Sequence, residues 1–402
     1  MLPRNLDAAC LQGNANQTTQ YLKYNMDLTF VFPCLNEEGT LAECIKAVQT
    51  SLDSGDGSVK YEIVVADNGS TDRSAEIATE LGARVIPVPQ RGYGAALRGG
   101  IEAAEGEYVM FADADSTYLY EHCLPLYLKA KEVDADMSIA SRMNGEIEDG
   151  AMPPLHRYLG TPVLTGLINI LFKGNLSDCN SGFRCIRKTA YAQWDIRASG
   201  MEFASELLIK ALKNDAKTVE IPSGLRKGPE GRVAHLRTWR DGMRHLLFIL
   251  SERPRLFEKI GLFLVFVSTL LQITAMVVGP TNLLGLNVFD LHSKALLLLA
   301  GLTGIQLYLF SCVLFLRERE QPSRLTQKLI TIDEGSLFFL LLALFSIEGL
   351  VIAAVVLNWA LNDFANLNLS NALIPGIHLI SIPSMLAIGL LGIHVFKKSD
   401  NG

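Results

Sequence analysis

Two aspartates one residue apart, Asp113 and Asp115, close an apolar run in the stretch EYVMFADADST at 107–117. Period-2 patterning makes Tyr108 to Ala112 a buried strand, so both carboxylates emerge at its C-terminal end. In an open α/β sheet, ligands bind along that edge. Paired hard oxygen ligands there suit Mg²⁺ or Mn²⁺ held against a diphosphate. A solvated turn in which an aspartate caps the next helix accounts for the same pair. Two more apolar runs end in acid or amide groups. Leu28 to Phe32 and Pro33 lead into Asn36 and Glu37, and Tyr61 to Ala66 leads into Asp67 and Asn68 of DNGSTD. If these strands are parallel, the three clusters share one rim, which fits a nucleotide and a metal.

The elements that would position those groups are legible from periodicity. A helix over Glu38 to Leu52 places Leu41, Ile45 and Val48 on one face. A third strand covers Arg84 to Val88, and RGYGAALRGG (91–100) opens the next helix. The loop Gly92–Tyr93–Gly94 lacks the full G-x-G-x-x-G spacing and a Walker lysine, so it marks neither a dinucleotide fold nor a P-loop. A tight turn explains it. Strands alternating with helices at this spacing predict an α/β, mostly parallel sheet. Met137 to Ala140 is a further strand, ending at Ser141 and Arg142. Pro153 to Lys173 is apolar but broken by Pro154, Gly160, Pro162 and Gly166, which suits a helix lying near a bilayer better than one crossing it. Ser181–Gly182–Phe183–Arg184 begins a basic strand. A helix over Met201 to Leu212 sets Glu202 and Glu206 one turn apart. The following loop carries Arg226, Lys227, Arg232 and Arg237. Such a run is either a solvated surface or a phosphate clamp.

Mean hydropathy is +0.24 over 402 residues, with most of the apolar content after Ile260. A formal net charge of −6 argues against a nucleic-acid partner. Seven scattered cysteines without a C-x-x-C pair read as reduced thiols and not as a disulfide frame or zinc site. Leu236 to Leu250 places Trp239, Met243, Leu246, Leu247 and Leu250 on one helical face and Arg237, Arg240 and Arg244 on another. That mix suits the headgroup layer of a membrane. Four runs, about 260–279, 295–316, 336–357 and 374–396, have spanning length. Arg253, Arg255 and Lys259 precede the first. Arg317, Arg319, Arg324 and Lys328 lie between the second and third, and Lys397 and Lys398 follow the fourth. The positive-inside rule then puts the soluble half and both termini in the cytosol, in an integral membrane protein. Glu348 and Gln306 fall at similar depth in the third and second spans, which predicts a hydrogen bond between helices.

Taken together, Pro33–Asn36–Glu37–Glu38, Asp67 in DNGSTD, GYGAAL, Asp113–Ala114–Asp115, SGFR, GMEFASELLIKA and LRTWRDGMRHL resemble the family 2 glycosyltransferases of GT-A fold. The similarity covers about 28–250 and is strongest to the branch that loads a sugar onto polyprenyl phosphate, the dolichol-phosphate mannose and glucose synthases. This resemblance implies that Pro33, Asn36, Glu37, Asp67 and Asn68 line the nucleoside pocket. It further implies that Asp113 holds the nucleotide sugar and Asp115 ligates Mg²⁺ or Mn²⁺, with both aspartates at the metal. Arg142, Ser181, Arg184, Arg226, Lys227 and Arg232 match the acceptor-phosphate side. Asp115, Arg184, Arg226, Glu202 and Glu206 match positions tied to catalysis. The implied activity is inverting transfer of one hexose from a nucleotide sugar to a polyprenyl (dolichyl or undecaprenyl) phosphate. The continuation Asp115–Ser116–Thr117–Tyr118 departs from the D-A-D-L-Q-H of the mannose synthases, which favours UDP-glucose over GDP-mannose.

The expected organisation is a flexible segment over 1–26, a GT-A domain over 27–235 and interfacial helices over 236–258. A transmembrane domain over 259–398 follows and leaves room for a homo-oligomer. A processive polysaccharide synthase shares such a domain, but TWRDGMRHL stands where its Q-x-x-R-W signature belongs. A sugar nucleotidyltransferase would need a G-T-R start that is absent. A non-catalytic membrane scaffold with a degenerate domain has no reason to keep Glu37, Asp67, Asp113 and Asp115 together.

Overall fold

The computed structural model describes residue 24 and residues 26–229, 238–283, 286–316, 320–361 and 373–399. It divides into two compact units, 1–245 and 246–402. The first unit begins with β1 (Met26–Cys34), α1 (Leu41–Asp53), β2 (Tyr61–Asp67), α2 (Ser74–Glu80), β3 (Arg84–Pro87), α3 (Tyr93–Ala103) and β4 (Gly106–Phe111). A 3₁₀ turn at Tyr120–His122 leads into α4 (Cys123–Glu132) and β5 (Met137–Ile147). A π turn at His156–Gly160 runs into α5 (Thr161–Phe172), followed by β6 (Arg184–Arg187), α6 (Lys188–Tyr191), α7 (Phe203–Lys213), β7 (Thr218–Leu225) and α8 (Thr238–Ser251).

Seven strands form one sheet in the order β3-β2-β1-β4-β6-β5-β7. Parallel pairs are β1–β2, β1–β4, β2–β3 and β5–β7, while β6 runs antiparallel to both β4 and β5. The predicted α/β, mostly parallel sheet is therefore present. From β1 the chain winds outward to β2 and β3, then returns to β4 on the other side of β1, so strand order reverses between β1 and β4. Such a reversal opens a crevice at the C-terminal ends of the strands. The antiparallel β6 enters from that same edge, since Arg184 pairs with Phe111 at the top of β4.

The core follows the sequence pattern. Leu41, Ile45 and Val48 are buried on α1 as the 3.6-residue period requires. Phe30, Phe32, Tyr120 and Phe183 form one cluster of tilted and edge-to-face ring contacts beneath the rim. Two boundaries differ from expectation. α1 starts at Leu41 and not at Glu38, because Asn36 adopts φ +59° and its side chain accepts from Thr71 N, which holds the chain out of the helix. β5 runs past Ala140 to Ile147, because β7 continues to pair with it beyond an irregularity between Ser141 and Glu146. The interrupted segment before Lys173 is the π turn plus α5, with Tyr158, Leu159, Val163 and Ile170 exposed.

In the second unit, α9 (Pro254–Val278) is followed by a hairpin of β8 (Thr281–Leu283) and β9 (Leu286–Val288). Next come α10 (Leu291–Phe315), α11 (Arg324–Ile330), α12 (Glu334–Ala360) and α13 (Ile374–Ser399). α9, α10, α12 and α13 are long and apolar enough to cross a membrane. α9 and α10 touch through glycines. A Cβ on Gly261 would lie 2.7 Å from the Gly304 carbonyl oxygen, and one on Gly304 would lie 2.9 Å from that of Gly261. Small residues at such crossings let helix backbones meet in lipid, where no hydrophobic force drives them together. Polar side chains add a bond between Thr269 Oγ1 and His378 Nε2 at 3.0 Å. The expected hydrogen bond between Glu348 and Gln306 is not formed. Gln306 faces outward on α10, and Glu348 Oε1 has no hydrogen-bond partner among the described residues. Equal depth on two helices does not make their faces meet.

Gly304→Leu should force α9 and α10 apart and destabilise this unit by about 1–3 kcal/mol. Thermal unfolding of detergent-solubilised protein reads the change, and an unshifted midpoint would rule out the glycine contact.

Candidate active site

The three acidic strand ends do lie on one rim, because β2, β1 and β4 are adjacent and parallel. Register places Cys34 at the end of β1 beside Asp67 at the end of β2. The loops after these two strands are zipped together. Glu37 N donates to Ser74 Oγ at 2.9 Å, Glu38 N to Asp72 Oδ2 at 3.0 Å, and Asn36 N to Ser70 Oγ at 3.0 Å. Asp67 Oδ1 accepts from Ser70 N at 2.9 Å, which orients its carboxylate at the crevice edge. Pro33 is buried within β1, with Ala66 beside it on β2. Asn68 lies apart from the others. It is 4% exposed, its Nδ2 donates to Val88 O and Gln90 O, and its Oδ1 accepts from Gly92 N at 2.8 Å. Its side chain is committed to the protein backbone and is not a ligand group.

The loop after β4 is fixed from several sides. Ala114 O accepts from Thr40 Oγ1 at 2.6 Å, Ser116 takes φ +58°, and the Tyr120 hydroxyl donates to Asp113 O. Asp115 is 5% exposed, and its Oδ1 accepts from Thr117 N at 3.1 Å and from Thr117 Oγ1 at 2.6 Å. Both aspartates thus project from a held backbone. Among the described residues no group of three or more His, Cys, Asp or Glu side chains could hold a metal. A cation here would therefore take its remaining oxygens from a diphosphate and water, as Mg²⁺ commonly does.

The basic residues differ from expectation. Arg184 is 1% exposed, and its guanidinium donates to the carbonyls of Ser181, Ala204 and Cys179 at 2.8–2.9 Å. It ties β6 to α7 and does not meet an acceptor phosphate. Ser181 is likewise buried, donating to Ala140 O at 2.7 Å. Glu206 is 3% exposed and accepts from Arg197 N, Ala198 N and Lys210 Nζ, so it anchors the loop before α7 and is not open to substrate. Glu202 sits at the N-terminus of α7, accepting from Gly200 N at 3.3 Å. Arg226 and Lys227 are exposed. Arg226 pairs with Glu121 at 2.6 Å, and its backbone N donates to Thr117 O, which brings it beside the Asp113–Asp115 loop. Arg232 and Arg237 lie outside the described residues.

Arg142 makes a two-pronged ion pair with Asp178, Nε to Oδ2 at 2.7 Å and Nη2 to Oδ1 at 2.9 Å. Burial works against both charges, yet Asp178 raises the Arg142 pKa and Arg142 holds the Asp178 carboxyl below its ordinary range. Sequence reasoning passed over Asp178, whose signal is a carboxylate three residues ahead of Ser181 in SDCNSGFR. It also passed over Glu121 and Tyr118. The Tyr118 hydroxyl accepts from Gly182 N at 2.7 Å under the same rim.

The reversal of strand order places the carboxylates at the ligand crevice of an α/β sheet. The protein-family model "Glycosyl transferase family 2" matches residues 29–194. A low-salt glycan biosynthesis hexosyltransferase of Haloferax volcanii, Agl6, is 39% identical over 70% of this chain and 67% of its own length. The chain therefore belongs to glycosyl transferase family 2. A dolichol-phosphate mannosyltransferase of Pyrococcus furiosus is 27% identical over 56% of this chain and 64% of that protein. A dolichyl-phosphate hexose transferase of Haloferax volcanii is 29% identical over 49% and 81%. Among solved structures, glucosyl-3-phosphoglycerate synthase of Mycobacterium tuberculosis, in complex with Mn²⁺, UDP and glucosyl-3-phosphoglycerate, aligns with TM-score 0.45 and 23% identity. It covers 57% of this chain and 80% of that one.

Removing one member of the Arg142–Asp178 pair leaves a buried charge uncompensated. Asp178→Ala should cost roughly 3–5 kcal/mol in a denaturant titration of the folded protein. Because the folded Asp178 pKa is depressed, its contribution is complete above the unfolded carboxylate value and fades as pH falls through the lower folded value. The stability gap between wild type and variant should therefore narrow only in that acid range.

Proposed function

We propose that this protein moves one hexose from a nucleotide sugar, with UDP-glucose the favoured donor, to a polyprenyl phosphate in the membrane. The observation that carries this reading is the set of three carboxylates, Asp67, Asp113 and Asp115, on one rim at the point where strand order reverses. Four apolar helices of spanning length in the same chain favour a lipid acceptor. So do the names of the Pyrococcus and Haloferax relatives. The hexosyltransferase that is 39% identical supports transfer of a hexose.

In this scheme Pro33, Asn36, Glu37 and Asp67 line the nucleoside side, while Asp113 meets the sugar and diphosphate. Mg²⁺ or Mn²⁺ held by Asp113 and Asp115 would supply positive charge against the leaving diphosphate. The acceptor phosphate oxygen attacks the anomeric carbon from the opposite face, the bond to the nucleoside diphosphate breaks, and configuration inverts. That phosphate is anionic at neutral pH, so no strong base is required, and Glu202 serves to order the loop before α7. Arg226 and Lys227 draw the phosphate into line. The exposed Arg226–Glu121 pair is weak enough to exchange for it. Arg142, with Asp178 behind it, fixes charge on the acceptor side. We place residues 236–258 in the headgroup layer, where exposed Met243 and Leu247 of α8 meet lipid. The catalytic domain and both termini face the cytosol in this scheme, a topology that Arg253, Arg255, Lys259, Arg324, Lys328 and Lys397 support through the positive-inside rule.

Membranes containing the protein, given polyprenyl phosphate and radiolabelled UDP- or GDP-sugars with and without Mn²⁺, test this directly. The expected product is a single sugar on a chloroform-soluble lipid, formed best from UDP-glucose and lost with chelator. An insoluble growing polymer would point to a processive synthase instead, and no transfer from any donor would reject the reading. Asp115→Ala should lower turnover by about 100-fold or more; full activity in that variant would overturn the metal assignment.

A further inference from the structure

The end of β5 leaves its ladder where the rim begins. Phe111 at the top of β4 pairs with Arg184, and Arg184 pairs with Ile139 on β5. The residues after Phe111 and those after Ile139 therefore emerge on the same edge of the sheet. Ser141 still pairs with Pro222 of β7, and Glu146 with Gly224, which sets Arg142 to Gly145 opposite Ser223 alone. A bulge bends its strand and re-aims the side chains on it. This one folds directly onto β7, because a Cβ on Gly145 would lie 1.1 Å from Ser223 O. Arg142 is the cation at its start.

Ser177 and Asp178 brace the bulge. Asn144 Nδ2 donates to Ser177 Oγ at 2.8 Å, and the Ser141 and Ser177 hydroxyls are 2.6 Å apart. Asp178 accepts from Arg142 N at 3.2 Å as well as from Nε and Nη2, so Nη1 is the guanidinium nitrogen it does not engage. The brace in turn hangs on one carboxylate of β7. Glu220 accepts from Ser177 N with both oxygens, each at 3.0 Å, from Ser177 Oγ at 2.7 Å and from Asp178 N at 3.4 Å. Its reach to Arg142 runs through these two residues. We propose that Glu220 is a positioning residue of the acceptor side. By fixing Ser177 and Asp178 it sets the direction in which the bulge holds the Arg142 guanidinium, and so the place where an acceptor phosphate is met. The inference rests on the reading of Arg142 as an acceptor-side cation and adds the group that aims it.

Glu220→Gln keeps the shape of the side chain but leaves one acceptor oxygen for donors that now share two. In the transfer assay it should raise the KM for polyprenyl phosphate by about 10-fold and leave the donor KM unchanged. Arg142→Lys, which keeps the charge and loses the fork that Asp178 holds, should raise the same KM. Because Glu220 acts through Arg142, the double variant should be no worse than Arg142→Lys alone, whereas independent effects would multiply. Ser177→Ala removes one link of the same chain and takes the place of Glu220→Gln if that variant does not fold. A Glu220→Gln protein with the wild-type acceptor KM overturns the inference, and so does one in which donor and acceptor KM rise alike, as general loosening would produce. In both cases the acceptor reading of Arg142 stands on its own variant. Multiplied effects in the double variant overturn it as well. If Arg142→Lys retains the wild-type acceptor KM, the acceptor reading itself fails and the role of Glu220 falls with it.

Discussion

Parallel pairing of β1 with both β2 and β4 is the constraint on which the site depends. A parallel pair forces every strand to end on the same edge, so whatever follows each strand must meet there. Asn36–Glu37, Asp67 and Asp113–Asp115 are brought together for that reason alone, although the first and last are separated by more than seventy residues of chain. Their loops are then locked by polar groups that the sheet cannot satisfy itself. Thr40 holds Ala114, Ser74 holds Glu37, and Thr117 holds Asp115. A rim built this way is already oriented before any ligand arrives, which is what electrostatic stabilisation of a leaving group requires.

Burial decides which charges are left for chemistry. Arg184, Glu206 and Asp178 are all nearly inaccessible, and each is bonded to backbone amides or carbonyls, an opposite charge, or both. A buried charge without such partners would be very costly, so these residues are held in place by what they hold. They shape the crevice from behind. Arg226 and Lys227 are exposed instead, and exchange of partners at such a surface costs little.

The second unit solves a different problem. Leu337 is the one described side chain of α12 that is buried, and large apolar residues such as Phe338, Phe339 and Leu350 are exposed along it. In water such a face would drive aggregation; in hydrocarbon it is the ordinary outer surface of a spanning helix. Glycines at the α9–α10 crossing and a few side-chain hydrogen bonds supply the cohesion that apolar burial cannot provide there.

The alternation of strands and helices, the buried face of α1 and the four apolar runs were legible because each is a local period: two residues for a strand, 3.6 for a helix, about twenty apolar residues for a span. The acidic strand ends were legible for the same reason, since a strand boundary locates its own terminal side chains. Charge type alone does not tell an exposed cation from a buried strut. Arg184 and Arg226 look alike in sequence, yet one is tied to three carbonyls and the other pairs with Glu121 at the surface. Asn68, Ser181 and Glu206 drew attention for their chemistry and turned out to serve the backbone. Glu348 and Gln306 shared a depth but not a face. Asp178 carried no local pattern, because its partner Arg142 comes from another strand. Local patterns fix where a residue sits along its element, whereas its environment depends on distant segments that only the packed fold brings to it.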